Sequence, residues 1–438
     1  MSENNEIISL SHKIEIIANN KQKTHFRKAF GCSRLAYNWG LAKWQEYYKQ
    51  GIKKSHLDLK KEFNAIKKSE FPFVYEVSKY ATQQPFLNLN LAFQKFFRDL
   101  KQGKLSYPRF KRKRDNFGSY YIGGDQVALS ESNKNSDKYK RLHSNVKAQY
   151  LKVPNLGYVK LAEKVRFDGK INSVTISQQG NKFYASFSVS IPQSQFKSQP
   201  RSDLGLGIDL GIKSMVSLSN GLEVKSPKPL AKLTRKLVRL SRQLSKKQHP
   251  KTKGDKTTKS NNYKKASLKV SKLHKRITYI RTDFLHKLTS SLIKNVGYFC
   301  LEDLNVSGML KNRKLAKSVA DVSFYEFRRQ LEYKANYHHR WIEYVDRWYP
   351  SSKKCSQCGE IKLDLTLSDR IYKCEHCYAV LDRDYNAALN LFHYLKEKIG
   401  QVLPEFTPAD LTALQADLAV NQLATSKVET GIQQKSYL

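Results

Sequence analysis

The stretch LGLGIDLGIKSMVSLSNG, Leu204–Gly221, sets the reading of this 438-residue chain. Two short apolar runs flank a polar turn, and the simplest reading is two strands joined tightly at the start of a new domain. The first run ends in one carboxylate, Asp209, where the glycine-rich backbone leaves room for a ligand. A single acid at a strand end is usually only solubilising. Its meaning depends on what else reaches the same edge.

Two further segments supply acids at comparable places. VGYFCLEDLN (296–305) reads as a buried strand ending in Glu302 and Asp303, with Asp303 directed off the opposite face. DRDYNAALNL (382–391) opens a helix with Asp382 and Asp384, and acids in a first helical turn favour the helix dipole in any protein. Taken singly, none of these acids implies chemistry. Together, Asp209, Glu302 and Asp384 can converge at one sheet edge, where three carboxylates repel one another unless cations sit between them. Hard oxygen ligands suit magnesium or manganese, and two such ions serve phosphodiester hydrolysis.

Directly before that helix stands CSQCGEIKLDLTLSDRIYKCEHC (355–377). Cys355, Cys358, Cys374 and Cys377 form two CxxC pairs at structural zinc spacing, with an iron–sulfur centre or a degenerate, metal-free knuckle as the alternatives. Four thiolates close a tetrahedron, so the expected zinc holds structure and does not activate water. Cys32 and Cys300 lie alone and read as buried small hydrophobes.

The net charge of +41 demands a polyanionic partner, and nucleic acid fits best. A membrane surface fits poorly, for the sequence carries no lipidation motif, amphipathic anchor, apolar span or signal peptide. A cytoplasmic, nucleoid-associated prokaryotic protein is expected. Residues 225–287 hold 21 Lys and Arg against two Asp. A leucine stripe at 233, 237, 240 and 244 and a second stripe from 273 to 288 read as an antiparallel helical hairpin with a phosphate-facing surface. A helix spanning roughly 321–340 and a strand, WIEYVDRWY, lead into the cysteines.

The first half divides differently. Helical patterns run over 24–50, from near Ser55, and over 78–102. Basic YPRFKRKR follows, contributing Tyr107, Arg109, Lys111 and Arg112 as candidate nucleic-acid contacts. Tyr37, Trp39 and Tyr107 are candidates to stack on bases, with a core role favoured for Trp39. Short alternating strands fill 118–200, with a further strand near residues 12–18.

GIDLG also resembles the first phosphate loop of actin-like ATPases. The second glycine-rich loop and adenosine pocket of such enzymes are not found, and a basic hairpin has no use there. A closer resemblance covers residues 12–395. CSRLAYNWGLA, SKYATQQPFLNLNLAFQKFF, YPRFKRKR, GIDLGIKS, DFLHKLTSSL, LEDLNVSGM, FRRQLEYKA, the CxxC pairs and DRDYNAALNL resemble the TnpB (OrfB) family of insertion sequences, relatives of compact type V CRISPR nucleases. That resemblance implies RNA-guided cleavage of double-stranded DNA beside a short motif, with guide RNA as partner and a monomeric ribonucleoprotein as the working form. It assigns Asp209, Glu302 and Asp384 as catalytic RuvC carboxylates binding magnesium or manganese. It makes the four cysteines zinc ligands, and sets Lys79 and Gln83 near the target-adjacent duplex. The alternatives are a guide-directed binder that does not cut and a transposase acting on DNA ends.

The expected fold is α+β and multidomain. A β-barrel-like, wedge-like module comprises 1–20 and 118–200, with a helical recognition domain over 21–117. A ribonuclease H-like (RuvC) nuclease follows over 203–345, with the basic hairpin at 228–295. A zinc ribbon occupies 346–380, a final nuclease helix 381–400, and a mobile tail 401–438.

Overall fold

The computed structural model describes residues 7–113, 118–131, 148–193, 202–252, 255, 257–366, 368–400 and 402–430. Parts of the sequence-defined β-rich module and of the tail lie outside these residues. The chain divides into two compact units, Met1–Lys197 and Ser198–Leu438.

In the first unit β1 (Ile7–Ile17) precedes three helices, α1 (Asn20–Lys49), α2 (His56–Glu70) and α3 (Tyr80–Leu100). Then come β2 (Ser119–Gly123), β3 (Ala128–Ser130), β4 (Tyr150–Val153), β5 (Gly157–Leu161), β6 (Lys170–Gln179) and β7 (Lys182–Pro192). The seven strands form one sheet in the order β2-β6-β7-β1-β5-β4-β3, so β1 pairs with β7 and β5 across the intervening helices. Among the described residues β2 and β3 are unpaired edges, and the expected barrel-like module is an open sheet. Strict alternation along β1 buries Ile8, Leu10, Ile14 and Ile16 on one face. The helices bury Leu59, Phe63 and Phe86 together, with Trp39 partly buried and packed edge-on against both rings.

The second unit is built on a five-stranded sheet. Its strands are β8 (Gly205–Asp209), β9 (Val216–Leu218), β10 (Glu223–Val224), β11 (Tyr298–Glu302) and β12 (Trp341–Val345). Between β10 and β11 stands the hairpin of α4 (Pro229–Ser245) and α5 (Asn261–Asn295). Short α6 (Val306–Met309), then α7 (Ala316–Val322) and α8 (Phe324–Tyr337), precede β12. A small antiparallel pair, β13 (Ile371–Lys373) and β14 (Val380–Asp382), leads to α9 (Arg383–Ile399) and α10 (Pro408–Thr430). The sheet order is β10-β9-β8-β11-β12. The first two junctions are antiparallel, and β8, β11 and β12 run parallel.

The alternation of β8 explains its glycines. Leu206 and Ile208 face a core shared with Leu285, Leu288 and Leu292 of α5 and Phe327 and Leu331 of α8. Gly205, Gly207 and Asp209 face the other way, toward α9. A Cβ on Gly207 would lie 2.1 Å from the Ala388 carbonyl oxygen and 2.6 Å from the Phe392 nitrogen, both backbone atoms. Glycine is therefore required for α9 to lie close on the strand. Gly207→Ala is expected to cost about 1–3 kcal/mol and to weaken function by displacing α9. Gly205→Ala costs less, because its nearest neighbours are the side-chain ends of Leu403 and Phe392. Denaturant melts of both variants check the order.

Two expectations are corrected. The helix expected over 321–340 breaks at Ser323, whose φ of 64° is left-handed, giving α7 and α8. Much of the expected mobile tail is α10. Thr407 caps it through Asp410, Leu414 and Leu418 enter the α5 core, and Asp417 pairs with Lys294 at 3.0 Å.

One half-buried cation in α8 is expected to give this unit a pH dependence. Lys334 donates to the His286 carbonyl and to the Thr289 and Ser290 hydroxyls at 2.7–2.8 Å, and burial pushes its ammonium down to about 7. The unfolded lysine, with a pKa of about 10.4, keeps its proton over this range, so stability rises between about pH 7 and 10. Lys334→Met is expected to remove that rise, by about 1–3 kcal/mol, in denaturant melts at the two pH values.

Candidate active site and cysteine knuckle

β8 and β11 are parallel neighbours with Ile208 opposite Leu301, so their next residues, Asp209 and Glu302, emerge together at one sheet edge. Asp384, in the first turn of α9, stands near enough for its charge to act on Asp209, although the three carboxylates do not all come within 4.8 Å of one another. Asp209 is 9% exposed. Burial drives its carboxyl well above the usual carboxylate range, and the charges of Glu302 and Asp384 add to the effect. Burial also raises Glu302, opposed by a hydrogen bond that the Ser351 hydroxyl donates to it. Asp384 accepts from the Arg383 guanidinium at 2.9 and 3.1 Å, and Arg370 stands 3.8 Å away. Three acids thus share a poorly solvated edge, with two arginines, Arg383 and Arg370, paired to Asp384.

The neighbouring acids are engaged elsewhere. Asp382 is the N-cap of α9 and accepts from the Asp384 and Tyr385 amides at 2.9 and 3.1 Å. Asp303 pairs with Arg328 and Arg347.

The cysteine sulfurs form a separate cluster. Cys355 and Cys377 lie 3.6 Å apart, as do Cys358 and Cys374. All four fall within 4.8 Å of one another, and among the described residues this is the only group of three or more His, Cys, Asp or Glu so close. A tetrahedral zinc site with bonds of about 2.3 Å has sulfur–sulfur edges of about 3.8 Å, so the donor set and spacing fit a metal ion. The backbone amides of Cys377 and His376 pull the Cys374 thiol down to about 6. Cys358 is raised to about 12 and Cys377 is also raised, and burial raises the isolated thiols, Cys32 to about 11 and Cys300 to about 12.

The candidate nucleic-acid residues, all in the first unit, meet different fates. Lys79 is exposed and pairs with Asp125 at 3.0 Å, and Gln83 is half-buried one turn along α3. Arg109 and Arg112 are exposed. The Lys111 ammonium lies 4.0 Å from the centre of the Tyr37 ring, while its backbone bonds Asn38. Tyr37 is buried and so is not available to stack on a base. Tyr107 packs edge-on against Phe93 and Phe96 but stays partly exposed. In the second unit, the α4 leucine stripe is half-buried along the hairpin, leaving Arg235, Lys236, Arg239 and Arg242 outward.

Several residues with a part in this geometry carried no signal of their own. Asp321 of α7 supplies the missing cap of α4, accepting from the Leu230 and Ala231 amides at 3.0 and 2.9 Å and from Arg281 at 3.2 Å. Ser351, Asn386 and Asn390 tie the knuckle to α9 and Glu302. Only the i,i+4 spacing of the two asparagines hinted at a shared face.

Among the described residues no helix is long and apolar enough to cross a membrane. Three family models match: "Helix-turn-helix domain" of the OrfB type over 8–53, "Probable transposase" of the OrfB type over 186–313, and "Cas12f1-like, TNB domain" over 324–391. The first of these segments folds here as strand β1 and a single helix, α1. A Streptomyces pristinaespiralis protein named "Putative RNA-guided DNA endonuclease" is 31% identical over 394 residues, spanning 88% of this chain and 89% of that protein. Escherichia coli K12 "Putative RNA-guided DNA endonuclease InsQ" is 28% identical over 399 residues, spanning 86% and 90%. Among solved structures, Cas12f1 in a complex with sgRNA and target DNA has a similar fold, with a TM-score of 0.51 at 16% identity, covering 88% of this chain and 98% of that one.

Proposed function

The chain belongs to the TnpB (OrfB) family, and on that premise we propose that it is an RNA-guided DNA endonuclease whose cutting site is Asp209, Glu302 and Asp384. The observation that carries this reading is the convergence of three carboxylates at one sheet edge, with Asp209 raised by burial and by the other two. Such an arrangement is costly unless cations bind it. Oxygen donors suit magnesium or manganese, which when bound would activate water and stabilise the leaving oxygen of a phosphodiester. The sheet order, with two antiparallel junctions followed by parallel strands, supports a ribonuclease H-like (RuvC) nuclease. Asp209 and Glu302 hold their positions through adjacent parallel strands. Asp384 holds its own through an N-capped helix that the glycines of β8 admit.

The four cysteines hold zinc in a structural ribbon, for which closed tetrathiolate coordination is the usual form. The outward bases of α4 and α5 hold phosphates, and their one-signed charge supports this role over a merely solvated face. Lys79, Gln83, Arg109, Lys111, Arg112 and Tyr107 remain proposed contacts of the first unit, whose helices serve recognition. Guide pairing supplies most sequence specificity and the protein reads the adjacent motif, by analogy with RNA-guided effectors.

Purification from cells that also carry the element's flanking DNA, followed by sequencing of bound RNA, tests the partner. One defined RNA species is expected. Recovery of protein without RNA would overturn the guided reading.

A further inference from the structure

One short turn joins the cysteine knuckle, α9 and the carboxylate site. It runs from Ser351 to Ser356 and contains Cys355. Asn386 and Asn390 stand one helical turn apart on α9 and are 0% and 1% exposed. Asn386 donates to the Lys354 carbonyl at 2.8 Å and accepts from the Ser356 amide at 3.0 Å. Asn390 donates to the same carbonyl at 2.6 Å and to the Ser351 carbonyl at 2.8 Å. The Ser351 side chain, from a residue only 3% exposed, donates its hydroxyl to Glu302. Asp384 lies two residues before Asn386 on the clamped helix.

A glutamate at a strand end has three side-chain torsions to fix before it can hold an ion well. One hydroxyl bond to one carboxylate oxygen restrains those torsions and leaves the second oxygen free. The donor must itself be immobile for this to work, and here its backbone is fixed by α9 and by the turn that carries the first cysteine. Partners of this kind orient metal-binding carboxylates and tune their affinity.

We propose that Ser351 is a positioning residue for Glu302, and that the cysteine knuckle, acting through the 351–356 turn, sets the affinity of the carboxylate site for divalent cations. The inference rests on the reading of Asp209, Glu302 and Asp384 as cation ligands. Ser351→Ala isolates it cleanly. The bonds from Asn390 reach backbone carbonyls and survive the change, so the hydroxyl contact to Glu302 is what is lost.

Manganese alone is the probe. The RNA-loaded protein is titrated with manganese while its melting temperature is followed, and zinc content is measured in parallel. The stabilisation lost in Asp209→Ala defines the carboxylate site. Ser351→Ala is expected to need about tenfold more manganese for half-maximal stabilisation while keeping its zinc. Ser351→Thr, which retains the hydroxyl, recovers the wild-type midpoint. Cys358→Ser, which disrupts the knuckle, shifts the midpoint in the same direction as Ser351→Ala. A wild-type manganese midpoint in Ser351→Ala would overturn the positioning role. An unshifted midpoint in zinc-free Cys358→Ser would overturn the coupling. If the wild-type protein shows no Asp209-dependent stabilisation, the nuclease reading fails first and this inference with it, a result distinct from the other two.

Discussion

Asp209→Ala is expected to abolish DNA cleavage, by a factor on the order of 10³ or more, and to leave guide RNA bound. Asp209 ends the central strand, where the charges of Glu302 and Asp384 both act on it, and its loss removes one of the three carboxylates of the proposed cation site. The basic hairpin and the first unit are untouched. Asp209→Asn separates function from stability. A buried carboxyl with a raised pKa contributes its full stability only at acid pH, where it is protonated. That contribution is lost as pH rises above the usual carboxylate value of about 4 toward the higher folded value. In chelator at pH 7–8 the wild-type protein therefore bears a penalty that the amide lacks. Asp209→Asn is expected to melt higher, by roughly 2–4 °C for each kcal/mol recovered. Magnesium raises the wild-type melting temperature and not that of the variant. Calorimetry of both proteins, with and without magnesium, checks the crossover. A variant that melts lower in chelator would contradict the assignment of a strained acid cluster.

Cys355→Ser is expected to lose zinc and to reduce cleavage by at least about tenfold. The ribbon has little core of its own beyond Tyr372, Ala379 and the cysteines, so its fold depends on the metal. Because Cys355 lies in the turn clamped by Asn386 and Asn390, the damage extends to the start of α9 and to Asp384. Cys32→Ala serves as the control. Its thiol is buried and lies outside the four-sulfur cluster, and the variant is expected to keep both zinc and cleavage. Metal analysis and cleavage rates on the two variants decide it.

The parts of the fold that were legible in the sequence are those where one local pattern has one physical solution. The apolar runs ending in Asp209 and Glu302 are buried strands, the leucine stripe of α4 lies along a hairpin, and two CxxC pairs bring four sulfurs together. Where tertiary partners decide, sequence was silent. Ser323 adopts a left-handed conformation without a glycine to announce it. Residues 408–430 carry a helix signal, Thr407 and Asp410 before an Ala- and Leu-rich run, but nothing local shows that Leu414 and Leu418 meet α5. The glycines of LGLGID suggest room for a ligand, yet their use here is to admit the α9 backbone. Tyr37 resembles a stacking residue in a basic protein, but Lys111 covers it. Strand alternation already sets Asp303 apart from Glu302, but nothing local shows that Arg328 and Arg347 pair with it or that the α9 amides take Asp382.

The most direct measurement gives the RNA-loaded protein a plasmid library matched to its guide, with magnesium, beside Asp209→Ala. Cleavage next to one short shared motif, absent in the variant and absent in chelator, is the predicted result. Tight guide-dependent binding with intact plasmid in both samples would contradict a cutting site at Asp209, Glu302 and Asp384.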